Sequence, residues 1–184
     1  MSAELVDATP AAPMLPVPYR VAERRVETHD AVTLRLEPVA RPIAPFLPGQ
    51  FTMLYRPGVG EVAISVSGDP TARDGVLTQT IRDVGAVSGA LHRAAPGDLI
   101  GVRGPYGVGW DLDTAVGRDL LIVAGGVGLA PLRPVLLDAL ARRHVFGRVV
   151  LVAGARSPAE FLFGDQLDPW RATAGLEVEL TIDR

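Results

Sequence analysis

The sequence predicts an antiparallel β domain followed by an α/β domain, and three observations support this fold class. Short runs with alternating apolar and polar residues fill the stretch from about Val17 to Arg103, and turn residues separate them. From Arg118 onward, unbroken apolar runs alternate with helical patterns, which is typical of a parallel sheet covered by helices. A glycine-rich turn joins the first of these apolar runs to a helix.

Six strands are predicted in the β domain. Tyr19–Glu27 and Ala31–Glu37 flank a polar turn at Thr28–Asp30, which is a hairpin signal. In the second run apolar Val32, Leu34 and Leu36 alternate with polar residues, as in a half-buried strand. The other predicted strands are one that opens at Gly49-Gln50 and carries Phe51, Met53 and Tyr55 on one face, then Glu61–Ser67, Val76–Arg82 and Leu99–Arg103.

One short helix interrupts these strands. It is predicted to begin at Ser88, a good N-cap residue, and to end before Pro96-Gly97. Several short strands with turns between them fit either a closed antiparallel barrel or a sandwich.

The α/β domain is predicted to contain three strands. Leu120–Val123 is an unbroken apolar run, which suits a strand buried on both faces of a parallel sheet. A helix follows from Leu129, with an apolar stripe formed by Leu132, Val135, Leu136 and Leu140. The remaining predicted elements are a strand at Val149–Ala153, a short helix within Pro158–Trp170 and a strand at Leu176–Ile182.

The turn between the first strand and its helix is a candidate phosphate site. A strand, a glycine turn and a helix N-terminus present backbone N–H groups and a positive dipole end to an anion. Gly126–Pro131 reads G-x-G-x-x-P instead of G-x-G-x-x-G, and no acidic residue lies about 20 residues further on, where a ribose contact is expected. A tight turn without a ligand therefore remains an alternative.

Composition excludes several classes of protein. The 184 residues contain no cysteine, which excludes disulfides, thiolate nucleophiles and a cysteine-held iron–sulfur cluster in this chain. All 18 basic residues are arginine, so Schiff-base chemistry and a P-loop lysine are excluded as well. The net charge of -3 gives no support for nucleic-acid binding.

The N-terminal residues 1–16 lack the basic start and apolar centre of a signal peptide, and we expect a disordered leader there. No apolar run is long enough to insert into a membrane, so a cytoplasmic location is expected. His29, His92 and His144 are scattered along the sequence and indicate no metal site.

Five segments, in order, resemble those of the ferredoxin–NADP reductase superfamily. The most similar members are its flavin-carrying electron-transfer subunits, namely those of hydrogenase (the gamma subunit), of anaerobic sulfite reductase and of dihydroorotate dehydrogenase. The segments are Pro48–Phe51, Ala63–Ser65, Val84–Ser88, Gly104–Gly107 and Gly125–Pro131. The resemblance implies a Greek-key β-barrel that binds FAD over residues 17–113, followed by a Rossmann-like, partial NAD(P)-binding α/β domain over residues 118–184.

The resemblance also implies where FAD is bound. The family's Arg-x-x-Ser motif reads Val62–Ser65 here, so that the serine is kept and the arginine is lost. A plain core strand is the alternative for this segment. Backbone N–H groups of Gly85–Ser88 and the Ser88 hydroxyl would bind the pyrophosphate, and Arg82 would add positive charge or lie free on the surface. The implied FAD contacts are Ala63, Ile64, Ser65, Thr80, Ile81, Arg82, Gly85, Val87, Ser88, Gly104, Pro105 and Tyr106.

For the nicotinamide coenzyme, the resemblance implies the glycine turn and the end of the second parallel strand. The implied contacts are Gly125, Gly126, Val127, Gly128, Leu129, Pro131, Arg156 and Ser157. The implied activity is that of an NAD(P)H-dependent flavin oxidoreductase, which transfers hydride to flavin N5 and passes electrons to a redox partner such as a hydrogenase or another iron–sulfur protein. No catalytic side chain is expected, because the cofactors carry the chemistry. Whether the coenzyme is NAD or NADP, and whether the flavin is FAD or FMN, remains open.

Compared with the family, the α/β domain is expected to be truncated. The family's nucleotide domain has about five parallel strands, whereas this sequence supplies three. We expect an unpaired edge at Leu176–Ile182 and exposure of Leu180 and Ile182. Two hypotheses follow: a flavoprotein oxidoreductase subunit, or a non-catalytic nucleotide-binding or assembly module that lacks the nicotinamide half-site.

Overall fold

The computed structural model describes residues 14–183, and the predicted disordered leader lies outside the described residues except for its last three positions. Six antiparallel strands and one helix come first. They are β1 (Val17–Val26), β2 (Ala31–Pro38), β3 (Phe51–Arg56), β4 (Gly60–Ser65), β5 (Leu77–Arg82), α1 (Ala86–His92) and β6 (Leu99–Tyr106).

These strands form one sheet in the order β4-β3-β6-β1-β2-β5. β6 lies between β3 and β1, so the chain crosses over as in a Greek key. A single antiparallel bridge from Val66 to Gln79 then brings the two ends of the sheet together into a barrel. The barrel alternative is therefore the correct one, and the predicted fold class is confirmed.

The barrel core follows the predicted alternation of β2. Val32, Leu34 and Leu36 are fully buried. On β3 the buried residues are Thr52 and Leu54, so the face that carries Phe51, Met53 and Tyr55 is the outer one. Side chains on that outer face are available to a ligand or to the second domain.

The start of α1 differs from the prediction. The N-cap residue is Gly85, and Ser88 is the third residue of the helix. The Ser88 hydroxyl points back and accepts hydrogen bonds from the N–H groups of Val84 (3.2 Å) and Gly85 (3.0 Å). A serine followed by a helical pattern predicts a cap, but here its hydroxyl stabilises the preceding turn instead.

The α/β domain contains three parallel strands in the order β7-β8-β9. Its elements are β7 (Leu120–Gly125), α2 (Leu129–Ala141), β8 (Val149–Ala155), α3 (Gly164–Arg171) and β9 (Leu176–Ile182). The predicted helix within Pro158–Trp170 is split into a 3-10 turn at Pro158–Glu160 and α3, because Phe163 between them adopts a left-handed conformation with φ of 54°.

Both helices cover the same face of this sheet, and this overturns the prediction that β7 is buried on both faces. Ile122 and Ala124 lie in the core with residues of α2 and α3, whereas Leu121 is 64% and Val123 is 62% exposed. An unbroken apolar run does not reveal whether anything covers its second face. Within residues 14–183, β7 pairs only with β8.

The exposure predicted for β9 is only partly correct. The register places Leu180 beside Ala153 on the covered face, where it packs against the core. Ile182 is 47% exposed, as expected. On the uncovered face of the sheet, β9 presents the charged residues Glu177 and Glu179 to solvent. The exposed apolar residues of that face lie on β7.

Two substitutions at neighbouring positions of β7 test this one-sided burial. Ile122→Ala should lower the free energy of unfolding by about 3 kcal/mol, because it empties a packed core position. Leu121→Ala should change it by less than about 0.5 kcal/mol, because that side chain already faces solvent. Urea unfolding measures both, and similar losses for the two variants would contradict the described packing.

Candidate functional site

A cleft of about 420 Å³ lies between the barrel and the carboxyl ends of the three parallel strands. Ligands of open α/β sheets bind at that edge, and the volume lies in the usual range of ligand pockets. The α/β domain contributes Gly125, Gly126, Val127, Gly154, Ala155, Arg156, Glu160, Leu162, Thr181 and Asp183, and the barrel contributes Thr28, Asp30, Ala31 and Arg82.

The glycine turn forms one wall of the cleft. Gly126 adopts a φ of 50°, which favours glycine, and a Cβ atom at Gly125, Gly126 or Gly128 would meet nothing within 4 Å. The backbone is thus open to the close approach of a ligand, and the N-terminus of α2 follows directly. Leu129, by contrast, is buried in the core, so only its backbone can serve a ligand.

A second wall is formed where β8 and β9 end. Arg156 donates from Nε to the Glu160 Oε2 at 2.7 Å, and Asp183 follows β9 nearby. Ser157 precedes the 3-10 turn and does not line the cleft. Glu160 was not predicted, because the acidic ribose contact is expected about 20 residues after the glycines. Here α2 and the turn after it place the end of β8 further along the chain.

The barrel contributes the opposite wall through the β1–β2 turn and the end of β5. Arg82 donates from Nε to Asp30 Oδ2 at 2.6 Å, and the Thr28 hydroxyl donates to Asp30 Oδ1 at 2.9 Å. Burial raises the pKa of Asp30, but the hydrogen bonds from Arg82 and Thr28 outweigh it and hold that pKa below its ordinary value. Arg82 is thus a predicted residue that the fold brings to the cleft, and Asp30 is one that the sequence did not reveal.

The outer face of the barrel brings together some of the other predicted FAD contacts. Strand register places Ser65 and Tyr106 on either side of Phe51, whose ring lies 5.9 Å from that of Tyr106. Gly104 and Pro105 precede Tyr106 on β6. Phe51 ends the matching segment Pro48–Phe51 but is not among the contacts that the resemblance implies, and the strand pairing places it between Ser65 and Tyr106.

Other predicted FAD contacts turn inward. Ile81 is fully buried in the barrel core, and Ile64 pairs with buried Thr52 and packs partly against that core. Thr80 is buried with its hydroxyl 2.9 Å from that of Thr33. These residues can offer a ligand little beyond their backbone, whereas Ala63 is exposed on the outer face.

The N-terminus of α1 is open to solvent. Gly85 is exposed in an extended conformation, and a Cβ atom there would meet only the Ser88 hydroxyl, at 3.9 Å. The Ser88 hydroxyl is itself buried and hydrogen-bonded, so the backbone around Val87 is what this turn offers an anion.

The two walls of the cleft are held together by a buried carboxylate. Glu27, whose side chain is only 3% exposed, accepts a hydrogen bond from the Phe163 N–H at 2.9 Å and forms an ion pair with Arg25 at 2.6 Å. Phe163 directly follows Leu162 of the cleft wall, and Glu27 directly precedes Thr28 of the opposite wall.

Arg133 of α2 completes this junction. It donates to the Ser67 carbonyl of the barrel and to Gln166 Oε1 (2.9 Å), and its guanidinium lies 5.0 Å from the Phe163 ring centroid. Burial and the nearby Arg25 hold the pKa of Arg133 below its ordinary value.

Residues 14–183 contain neither a candidate metal-binding cluster nor a helix that could span a membrane. No group of three or more histidine, cysteine, aspartate or glutamate side chains in that range could hold a metal ion. None of the helices described there has the length and apolar character needed to cross a membrane.

Comparison with known proteins identifies relatives of both domains. Residues 122–182 match the family model described as the oxidoreductase NAD-binding domain. Sulfhydrogenase 1 subunit gamma of Pyrococcus furiosus is 43% identical over 132 residues, which are 72% of this chain and 45% of that protein. The probable dihydroorotate dehydrogenase B (NAD(+)) electron transfer subunit of Methanocella arvoryzae is 40% identical over 131 residues, 71% of this chain and 45% of that one.

Solved structures share the fold. Phthalate dioxygenase reductase aligns with a TM-score of 0.74 at 21% identity, over 90% of this chain and 51% of that one. The FAD/NAD binding domain of nitric oxide dioxygenase from Vibrio cholerae aligns with a TM-score of 0.78 at 17% identity, over 92% and 80%. The chain spans about half the length of the curated relatives described above.

Removing the carboxylate of Glu27 tests the junction between the two walls. Glu27→Ala should lower the free energy of unfolding by about 2 kcal/mol, because it leaves the Phe163 N–H without its partner. Glu37→Ala is the matched control, since Glu37 is 48% exposed and pairs with Arg35 within the barrel; its cost should stay below about 0.5 kcal/mol. Equal thermal stability of the two variants would contradict the assigned role of Glu27.

Proposed function

Because the chain belongs to the ferredoxin–NADP reductase superfamily, we propose that it is an FAD-dependent oxidoreductase subunit that passes reducing equivalents between NAD(P)H and a redox partner. The observation that carries this proposal is the cleft in which the glycine turn after β7 faces the end of β5. An electron-transfer flavoprotein needs such an arrangement, since both cofactors must meet between its two domains.

The α/β domain would hold the nicotinamide dinucleotide. Backbone N–H groups of the exposed turn Gly125–Val127 and the N-terminus of α2 would bind its pyrophosphate, with no side chain in the way. The ribose would lie toward Arg156 at the end of β8. Gly128, Leu129 and Pro131 remain proposed contacts of the same site, whereas the predicted contact Ser157 lies outside the cleft lining.

The barrel would hold the flavin, and the open space at Gly85 fits a pyrophosphate there. Arg82 is the cation nearest in sequence to that turn, and we propose that it contacts an FAD phosphate in place of the arginine missing at Val62 while it stays paired with Asp30. Ser65 and Tyr106 would contact the flavin along the outer face of the barrel. When bound, the flavin supplies hydride acceptance at N5 and electron delivery to the partner.

No side chain of the cleft is proposed as a general base. Asp30 is held by Arg82 and Thr28, and its lowered pKa makes its carboxylate a weaker base than an ordinary aspartate. The side chains of the cleft therefore bind and orient the cofactors, and the cofactors carry out the reaction.

The partner is proposed from the names of the relatives. One is a subunit of a sulfhydrogenase and another is an electron transfer subunit, so we infer a redox partner such as a hydrogenase or another iron–sulfur protein. The 184 residues contain no cysteine, so a cysteine-held cluster would lie outside them.

The exposed face of β7 favours a second candidate function. Leu121 and Val123 leave an apolar strip uncovered beside an edge that is unpaired within residues 14–183. A further polypeptide segment could cover it, in which case the chain alone would be a nucleotide-binding or assembly module that does not turn over.

Absorbance spectroscopy separates the two functions. The purified chain, incubated with FAD and then freed of unbound flavin, should be yellow, and anaerobic NADH or NADPH should bleach the flavin band. A yellow protein that neither coenzyme bleaches would favour the assembly module, and a colourless one would overturn the flavin site.

The flavin site is tested by Gly85→Val. The extended backbone and free space at Gly85 allow the larger side chain without strain in the fold, but that side chain would block the approach of a pyrophosphate. FAD occupancy should fall at least about tenfold while the circular dichroism melting curve stays unchanged. Undiminished flavin content in the folded variant would remove this turn from the site.

The dinucleotide site is tested by Gly125→Asp. A carboxylate at this unstrained, open position should repel a pyrophosphate, so binding of NAD(P)H should weaken at least about tenfold while FAD is retained. Gly164→Asp is the matched control, because Gly164 is also open but lies at the start of α3. Equal coenzyme affinity of the two variants, measured by calorimetry, would refute the assignment.

A further inference from the structure

Charged side chains mark the rim of the cleft where β8 and β9 end. Arg156, Glu160 and Asp183 all line it there. Arg156 and Glu160 form an ion pair of 2.7 Å, four residues apart, in which the arginine side chain is 60% and the glutamate side chain 26% exposed. The only cation that the α/β domain places among the described lining residues is therefore already neutralised.

Among the residues that the structure describes, the charge balance of this rim is negative. Arg156 contributes one positive charge, and Glu160 and Asp183 contribute two negative charges, which leaves a balance of one negative charge. Arg82 across the cleft does not alter this balance, because it is paired with Asp30 at 2.6 Å.

The two nicotinamide coenzymes differ at the position that this rim would meet. α/β folds hold the adenosine ribose at the end of the second strand. A ribose 2′-hydroxyl can donate a hydrogen bond to a carboxylate, whereas a 2′-phosphate carries a charge of about −1.5 to −2 and needs a free cation. A carboxylate-rich rim therefore accepts a hydrogen bond from the 2′-hydroxyl of NAD and repels the 2′-phosphate of NADP.

We propose that Glu160 makes the cleft selective for NAD(H) over NADP(H). Its carboxylate holds Arg156 away from a 2′-phosphate and offers an acceptor to the ribose diol, and Asp183 adds to the repulsion. This inference rests on the proposed dinucleotide site and adds the coenzyme that the site takes. Arg156 alone, without its ion pair, would favour the phosphorylated coenzyme.

Calorimetric titration of the whole chain with NAD⁺ and with NADP⁺ tests this without a catalytic assay. The wild-type chain should bind NAD⁺ more tightly, and Glu160→Gln should narrow the ratio of the two affinities by about fivefold, because it frees Arg156 and removes one repelling charge. Asp183→Asn should also narrow the ratio of the two affinities, and it leaves the Arg156–Glu160 ion pair intact.

Glu177→Gln is the matched control. It removes the same charge and breaks a similar arginine–glutamate pair, Arg148–Glu177 at 2.7 Å, at the opposite end of the sheet. Its affinity ratio should equal that of the wild type.

Three outcomes decide the inference. Equal or tighter binding of NADP⁺ by the wild type would overturn it while leaving the proposed function standing. An unchanged ratio of NAD⁺ to NADP⁺ affinity in a Glu160→Gln variant with a wild-type melting curve would also overturn the inference and leave the proposed function standing. Binding of neither coenzyme would overturn the proposed dinucleotide site and this inference with it.

Discussion

The hydrogen bond from the Phe163 N–H to the buried carboxylate of Glu27 is the constraint on which the cleft depends. Glu27 lies in the barrel beside Thr28, and Phe163 lies in the α/β domain beside Leu162, so this contact joins the two walls directly. Phe163 keeps a left-handed backbone there, which costs about 1 kcal/mol or more and persists only because its surroundings hold it. Arg25 and Arg133 supply that hold through their contacts with the ring.

Much of the fold follows from local patterns in the sequence. β9 begins and ends at the predicted residues, and the alternation on β2 gives the correct buried face. The glycine turn after β7 also lies where its pattern places it. Such features depend on the period of a strand and on the freedom of glycine, and both can be read from neighbouring residues.

The features that the sequence did not reveal depend on distant segments. Asp30 and Glu160 lie in the same cleft only because the junction at Phe163 brings the β1–β2 turn to the ends of the parallel strands. The helix cap at Gly85 and the exposed face at Leu121 were also not predicted, because neither is determined by the local sequence pattern alone. A serine can bond backward as well as forward, and an apolar run does not report what covers it.

We propose that one cleft between the two domains receives the nicotinamide coenzyme beside the flavin. A crystal structure of the chain grown with FAD and NAD⁺ tests it most directly. We expect the NAD⁺ pyrophosphate against the Gly125–Val127 backbone and its adenosine ribose beside Arg156 and Glu160. We expect FAD on the barrel with its pyrophosphate at Gly85. Ordered NAD⁺ anywhere else on the chain, with the cleft filled only by solvent, would contradict it.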